Sequence, residues 1–433
     1  MKRTVQIVEK TDKDRLVSIL QKKGQMLLPI LDLVETSELA LNEVIDVTGR
    51  AMIQVLLELS AERLAGPKQR GRSGEEIRWH GTQEGVVKLS DRKLHVTKPR
   101  LRRKGGGKGG EVSIPAYEAM QEYDVGKRML GILLSGVSTR KYERVLPAMA
   151  ETVGIEKSSV SRNAIVASEK ALKEFGERRW DAVDLLVIYV DGVRVGEYQV
   201  IVAMGVDRAG CKHVLGLQEG ATENAVVVKD LLVDLVERGV KADRKRLFVI
   251  DGSKALRKAI EEVYGKKNPV QRCRSHKERN VLSYLPEEQQ EQTRWVFEAA
   301  LKLEAEKGMA KLEEHAKWLE KSHPSAAASL REGLEEMFTI NRLGLSSALR
   351  RCLGTTNVIE NPHSAMRQRT RNVKRWRDGQ MVLRWLASAY LDAEKTFRKI
   401  MGYKDLWMLE AALQEEAKKQ VPKKHLDSQK KVA

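Results

Sequence analysis

Two aspartates in this chain are each followed by glycine, in Asp191-Gly192-Val193 and Asp251-Gly252-Ser253, and each closes a run of apolar, β-branched residues. Leu185 to Asp191 and Leu247 to Asp251 have the composition of buried strands. If those strands are parallel neighbours, both carboxylates stand at the carboxyl pole of one sheet, where open α/β sheets place their sites. Two carboxylates so close repel unless a cation lies between them. Mg²⁺ is a hard ion that prefers such oxygen ligands, and a pair of ions about 3.5–4 Å apart serves in-line displacement at phosphorus. The glycines are expected to leave room for a ligand or phosphate beside the backbone.

A third carboxylate is expected. Glu360 suits it, opening a helix in Thr355-Thr356-Asn357-Val358-Ile359-Glu360-Asn361-Pro362 just before Arg367, Arg369, Arg371, Lys374, Arg375 and Arg377. Six cations in that eleven-residue run would hold a polyanion beside the metals. Each carboxylate has a plainer reading as well: an aspartate at a strand end can be a turn or helix cap, and with Asn357 as N-cap, Glu360 occupies the third helical position of a capping box.

The elements that must position these groups follow from periodicity. Strands are expected at Leu185–Asp191, Tyr198–Val206, Lys212–Leu217, Leu247–Asp251 and Val270–Cys273, with a turn at Asp207–Gly210. Apolar residues at 228, 231, 232, 235 and 236 mark a helix over about 223–238, and Ser253 and Gly265 bracket another. Three antiparallel strands, a crossover helix, a strand, a helix and a strand form the ribonuclease H arrangement, with strand four beside strand one. Residues 287–352 read as helical and would interrupt that core. Trp295 and Trp318, within them, are read as core, with base stacking as the alternative.

The chain has 433 residues and a net charge of +18, and residues 66–110 alone carry 13 Lys/Arg against 4 Asp/Glu. Such a surplus calls for a polyanionic partner. Lys98, Arg100, Arg102, Arg103 and Lys104, followed by the glycine run 105–110, read as a flexible arm and linker along phosphates. Residues 13–65 and 115–175 read as helical, with short strands over 78–101. Ser138–Met149 followed by Gly154–Arg162 has the pattern of a helix-turn-helix that would present Ser159, Ser161 and Arg162 to DNA. No apolar run approaches the length of a bilayer span, no signal peptide is recognisable, and three scattered cysteines are not a disulfide framework. A membrane partner is not expected. A cytoplasmic, nucleoid-associated bacterial location is.

The two Asp-Gly motifs, Cys273-x-x-His276 and Thr355-Thr356-Asn357-Val358-Ile359-Glu360-Asn361 together resemble the Mutator-type bacterial insertion-sequence transposases, from the helical N-terminus to about Tyr403. The resemblance implies an Asp191-Asp251-Glu360 triad holding two Mg²⁺ ions, which Mn²⁺ would replace, with a helical insertion in the gap between Asp251 and Glu360. It also implies an auxiliary catalytic role for His276 and recognition of terminal inverted repeats by the N-terminal region. Pro362 departs from the pattern and bears on where the helix starts. A zinc site joining Cys273 and His276 to Cys211 and His213 is rejected, because the two pairs belong at opposite poles of the sheet.

The expected architecture is therefore α/β: an RNase H-like mixed-sheet core interrupted by an all-α insertion, with a mainly helical N-terminal DNA-binding region. Its segments are 1–110 (helices, basic arm, linker), 111–180 (helix-turn-helix-like), 181–286 (first part of the core), 287–352 (insertion), 353–405 (last part of the core) and 406–433 (C-terminal helix and basic tail). The expected partners are double-stranded DNA, as terminal repeats and target, and a second copy of the chain on DNA. The rival readings are an RNase H-like nuclease that cuts without joining, and a DNA-binding repressor without catalysis.

Overall fold

A computed structural model describes residues 38–68, 76–88, 93–105, 110–121, 125–139, 152–153, 157–222 and 224–418. The chain forms two compact units, residues 1–167 and 168–433.

In the first unit, α1 (Glu38–Ala65) is followed by the antiparallel pair β1 (Ile77–Lys88) and β2 (Lys93–Arg103). Ile53, Leu57 and Ala61 recur at helical spacing and bury against Val87, Leu94, Val96 and Leu101 of the ribbon. The short β3 (Glu111–Val112) pairs with β2, and the Arg103 N–H donates to the Gly110 carbonyl at 2.8 Å. Where the sequence suggests a flexible arm and a linker, then, Lys98 to Arg103 is strand, and the glycine run connects two paired strands. Pro99 is tolerated because the β1–β2 register shifts between Trp79 and Thr82, opposite it. Next come α2 (Pro115–Gln121), α3 (Val125–Leu134), the two-residue β4 (Thr152–Val153), which pairs with β2, and α4 (Lys157–Gly176). A Cβ at Gly126 would overlap the Asn163 carbonyl, so α3 packs tightly on α4 there. Of the first helix expected over 138–149, residues 140–149 lie outside the described residues, as do 150–151, 154–156, 1–37 and the tail after 418.

The second unit is built on a five-stranded sheet: β5 (Leu185–Val195), β6 (Tyr198–Asp207), β7 (Lys212–Glu219), β8 (Leu247–Ile250) and β9 (Val270–Arg272). The order is β7-β6-β5-β8-β9, with β6 antiparallel to both neighbours and β8 and β9 parallel to β5, as the element order requires. The nearly continuous burial of β5 marks a strand covered on both faces. One face packs on α5 (Ala225–Glu237) and α6 (Lys254–Tyr264) through Ile188, Val190, Phe248 and Ile250. Asn224 caps α5, Ser253 caps α6, and Gly265 ends α6 at φ +83°.

After β9 come α7 (Arg274–Leu282), α8 (Glu287–Lys302), α9 (Ala305–Glu320), α10 (Pro324–Arg331), α11 (Leu334–Met337), α12 (Thr339–Arg342) and α13 (Ser347–Leu353). Phe297, Leu312, Leu330 and Phe338 share a core separate from that of the sheet. This helical segment covers the edge strand β9. The Thr339 hydroxyl donates to the Val270 carbonyl at 2.7 Å, while Gln271 donates to the Met337 carbonyl and accepts from the Ile340 N–H. Helices α14 (Asn357–Thr370), α15 (Gly379–Glu394) and α16 (Leu406–Lys418) complete the unit. Helix α14 starts at Asn357 and runs through Pro362, whose missing N–H leaves one helical bond unmade. None of the described helices is long and apolar enough to cross a membrane.

Candidate active site

The β5–β8 ladder pairs Val187–Val190 with Leu247–Ile250, so Asp191 and Asp251 each directly follow the last pair of two parallel neighbours. Val190 and Ile250 belong to the core under α5 and α6. Asp191, the next residue of β5, therefore faces the other side of the sheet, and Asp251 follows directly on the end of β8. Although β5 continues to Val195, its parallel partner stops at Ile250, and Asp191 stands where that pairing ends.

Asp191 is 9% exposed and meets α14, with His363 Nε2 standing 3.5 Å from its Oδ2. His363 Nδ1 lies 2.7 Å from the Tyr390 hydroxyl. Burial, with a smaller contribution from the charge of Asp191, holds that phenol well above its ordinary pKa. The phenol therefore stays protonated, and its hydroxyl shares a hydrogen bond with Nδ1 while Nε2 is turned toward Asp191.

Asp251 Oδ1 accepts from the Ser253 N–H at 2.8 Å, and the Ser253 hydroxyl donates to the Thr222 carbonyl at 3.0 Å. The glycine after each aspartate makes room for protein rather than for a ligand. A Cβ at Gly192 would crowd Thr222 Cγ2, and at Gly252, where φ is +108°, it would overlap the Arg272 guanidinium.

Glu360 lies in the first turn of α14, but the N-cap is Thr356, not Asn357, so Glu360 is the fourth helical residue and no capping box forms. Its Oε1 accepts from the Thr356 hydroxyl at 2.7 Å. Cys273 Sγ and His276 Nδ1 each stand 3.3 Å from the same oxygen. With its one proton committed to Glu360, that hydroxyl keeps two lone pairs facing Cys273 and His276, and the Thr356 N–H donates to Cys273 Sγ at 3.3 Å. Burial pushes the Cys273 thiol up, but hydrogen bonds with His276 and Thr356 outweigh it and the net shift is downward. His276 is raised, chiefly by its bond to Cys273 and against desolvation. Thr356, fully buried, is the residue that ties Glu360, Cys273 and His276 together, and no part of the sequence reading singles it out. Its position four residues before Glu360, inside the quoted motif, was the available signal.

Two aspartate oxygens at neighbouring register fit a hard divalent ion. The third carboxylate is turned onto Thr356, and among the described residues no group of three or more Asp, Glu, His or Cys side chains is gathered to hold a metal.

Of the basic run, Arg367 is exposed on α14, while Arg369 is held by Asp392 at 2.9 Å. Arg371, Lys374, Arg375 and Arg377 are exposed but follow the helix, which ends at Thr370. Trp376 fixes this loop on the β5–β6 turn, where a Cβ at Gly196 would come within 2.7 Å of its ring, at the same pole as Asp191.

In the first unit, Lys98 Nζ lies 4.2 Å from the Tyr117 ring centroid, Arg100 pairs with Glu111 at 3.2 Å, and Arg102 reaches His80. Arg103, Lys104 and Arg162 are exposed, whereas Ser159 and Ser161 are half-buried on α4. At the far pole of the sheet from Cys273, His213 bonds Asp207 at 2.8 Å. Trp295 and Trp318, expected in the core, are exposed at 70% and 41%. Trp318 stacks on His315 with centroids 5.3 Å apart.

Comparison with known proteins gives concordant matches. The transposase for insertion sequence element ISRM5 of Rhizobium meliloti (strain 1021) is 25% identical over 394 residues, covering 86% of this chain and 92% of that protein. The transposase for IS6120 of Mycolicibacterium smegmatis is 26% identical, over 56% of this chain and 76% of its own length. The transposase for IS1081 of Mycobacterium tuberculosis (strain ATCC 25618 / H37Rv) is 33% identical over 35% and 38%. These matches define a DNA-processing class of enzyme. Residues 23–399 match the model of the Mutator family of transposases, and the chain belongs to that family.

Proposed function

We propose that the chain cuts DNA at the terminal inverted repeats of its element and joins the freed ends to target DNA, on an RNase H-like core whose ligands are Asp191, Asp251 and Glu360. The observation that carries this reading is the placement of Asp191 and Asp251 directly after the last pair of the β5–β8 ladder. Strand order and family membership support it.

Two Mg²⁺ ions, or Mn²⁺ in their place, would activate the attacking oxygen and stabilise the leaving one. In cleavage, the oxygen of water bonds to phosphorus and a 3′-hydroxyl leaves. In joining, that hydroxyl attacks a target phosphodiester and releases a target 3′-hydroxyl. The chain's own residues bind, hold and exclude. Asp191 is kept in place by the His363–Tyr390 pair, Asp251 by the Ser253 amide, and Glu360 is held in reserve by Thr356. His276 acts on Glu360 through Thr356. Arg367, Arg371, Lys374, Arg375 and Arg377 contact phosphates at the same pole, and the ribbon residues Arg100, Arg102, Arg103 and Lys104 contact DNA from the first unit. Holding two element ends together calls for at least two copies of the chain on DNA.

The test is incubation of the full chain with a labelled duplex carrying the element's terminal repeat, in Mg²⁺ or Mn²⁺. Nicked and joined products, both lost in Asp191→Asn, Asp251→Asn and Glu360→Gln with DNA binding kept, are expected. Nicking without joining would make the protein a nuclease, and binding without nicking a repressor.

A further inference from the structure

Arg272, at the end of β9, is 6% exposed, and its guanidinium lies between two backbones that have no side chain. On one side is Gly252, directly after Asp251. On the other is Gly333, at φ +68°, in the corner between α10 and α11 of the helical insertion. A Cβ at either position would overlap the guanidinium. Nη1 donates to the Glu332 carbonyl at 3.0 Å, and Nη2 faces Glu332 Oε2 at 3.4 Å. Lys277, fully buried on α7, reaches the same carboxylate at 3.6 Å, as does the exposed Lys254. Two buried cations thus share one insertion carboxylate, and Arg272 Nε and Lys277 Nζ are buried without a hydrogen-bond partner.

This arrangement is costly by itself, because buried donors without acceptors and unbalanced buried charge both disfavour folding. A planar, rigid group wedged between the turn after Asp251 and the corner of the insertion has a mechanical use. Arginine alone supplies a flat fork of fixed geometry there, which lysine cannot copy. We infer that Arg272 is a positioning residue that clamps the Asp251–Gly252 turn to the Glu332–Gly333 corner, so that docking of the helical insertion sets the placement of Asp251. The inference rests on the proposed role of Asp251. Glu332 is the contact through which a shift of the insertion, on DNA binding for example, reaches the site.

The experiment compares wild type with Arg272→Lys, which keeps the charge and loses the fork, and with Glu332→Gln, which keeps the shape and loses the charge. Hydrogen exchange is followed at residues 252–256 in the full chain. DNA affinity and the rate of repeat cleavage at saturating DNA are measured on the same samples. Arg272→Lys is expected to speed exchange at 252–254 at least tenfold and to slow cleavage at least tenfold, with DNA affinity within twofold and exchange inside α8 and α9 unchanged. Glu332→Gln should do the same to a smaller degree, and it serves alone if Arg272→Lys does not fold. Wild-type exchange at 252–254 in the folded variant would overturn the clamp, and wild-type cleavage would overturn its positioning of the site. If wild type itself cuts no DNA, the proposed function fails, while the exchange data still decide the clamp.

Discussion

Replacing Thr356 by valine tests the polar network around Glu360 with little change of shape. Valine is close in volume to threonine, so the fully buried site gains no cavity and loses only a hydroxyl. That hydroxyl donates to Glu360 at 2.7 Å and stands 3.3 Å from both Cys273 Sγ and His276 Nδ1. A hydrogen bond to a charged group is worth roughly 1.5–3 kcal/mol, and Glu360, being half-buried, recovers part of this from water. The two longer contacts add little at their distance. The net expectation is a loss of about 1–2 kcal/mol. For a unit of this size that lowers the melting temperature by about 2–8 °C. Thr356→Ser removes the methyl but keeps the hydroxyl, and separates packing from hydrogen bonding. Thermal melts of the three proteins at pH 7 should rank wild type, then serine, then valine. A valine variant as stable as wild type, or a serine variant as damaged as valine, would show that the hydroxyl does not hold the network.

Three further outcomes follow from the same geometry. Tyr390→Phe leaves His363 Nδ1 without its hydrogen-bond partner, at an expected cost of about 1–2 kcal/mol in a thermal melt; an unchanged melt would mean the imidazole is not held there. Burial and the neighbouring Arg272 push Lys277 down to about 8, against the upward pull of Glu332 and Glu336. Its folded pKa is thus below the unfolded value, and the unfolded chain binds more protons between the two. Wild-type stability should rise relative to Lys277→Met as pH increases from 8 to 10, with Lys277→Met the more stable by about 1–3 kcal/mol at pH 7; a pH-independent difference in melting would contradict this. Removing Arg371, Lys374 and Arg375 together should flatten the dependence of log K for DNA on log salt by about 0.9 per lost phosphate contact, and an unchanged slope would remove that loop from the DNA surface.

Much of this arrangement was legible because it is local. The apolar runs at 185–190 and 247–250 have no other use than buried strand, and Ser253 and Gly265 bracket α6 by side-chain and backbone chemistry available to any reader. The neighbouring placement of Asp191 and Asp251 followed from strand order and the handedness of crossovers. What stayed hidden depends on partners far away in sequence. Nothing near Gly252 announces that Arg272 fills its space, and nothing near Asp191 announces His363 and Tyr390. Lys98 to Arg103 looked like an arm because charge and glycine dominate the run. Its strand pairing rests on Leu101, which buries against α1, and on a register shift that accommodates Pro99. Trp295 and Trp318 were placed in the core on residue type, yet α8 and α9 bury Phe297, Ala300, Leu312 and Ala316 instead and leave both indoles outside.

The most direct test of the central claim, that these aspartates hold the metal that cuts DNA, is a metal-specificity switch. Asp251→Cys replaces a hard oxygen ligand with a soft thiolate, and cleavage of a labelled terminal-repeat duplex is measured in Mg²⁺ and then in Mn²⁺ or Cd²⁺. The account predicts loss of cleavage in Mg²⁺ and its return with the softer ion, with DNA affinity unchanged throughout. Cleavage at the wild-type rate in Mg²⁺, or no return with any softer ion in a folded, DNA-binding variant, would contradict it.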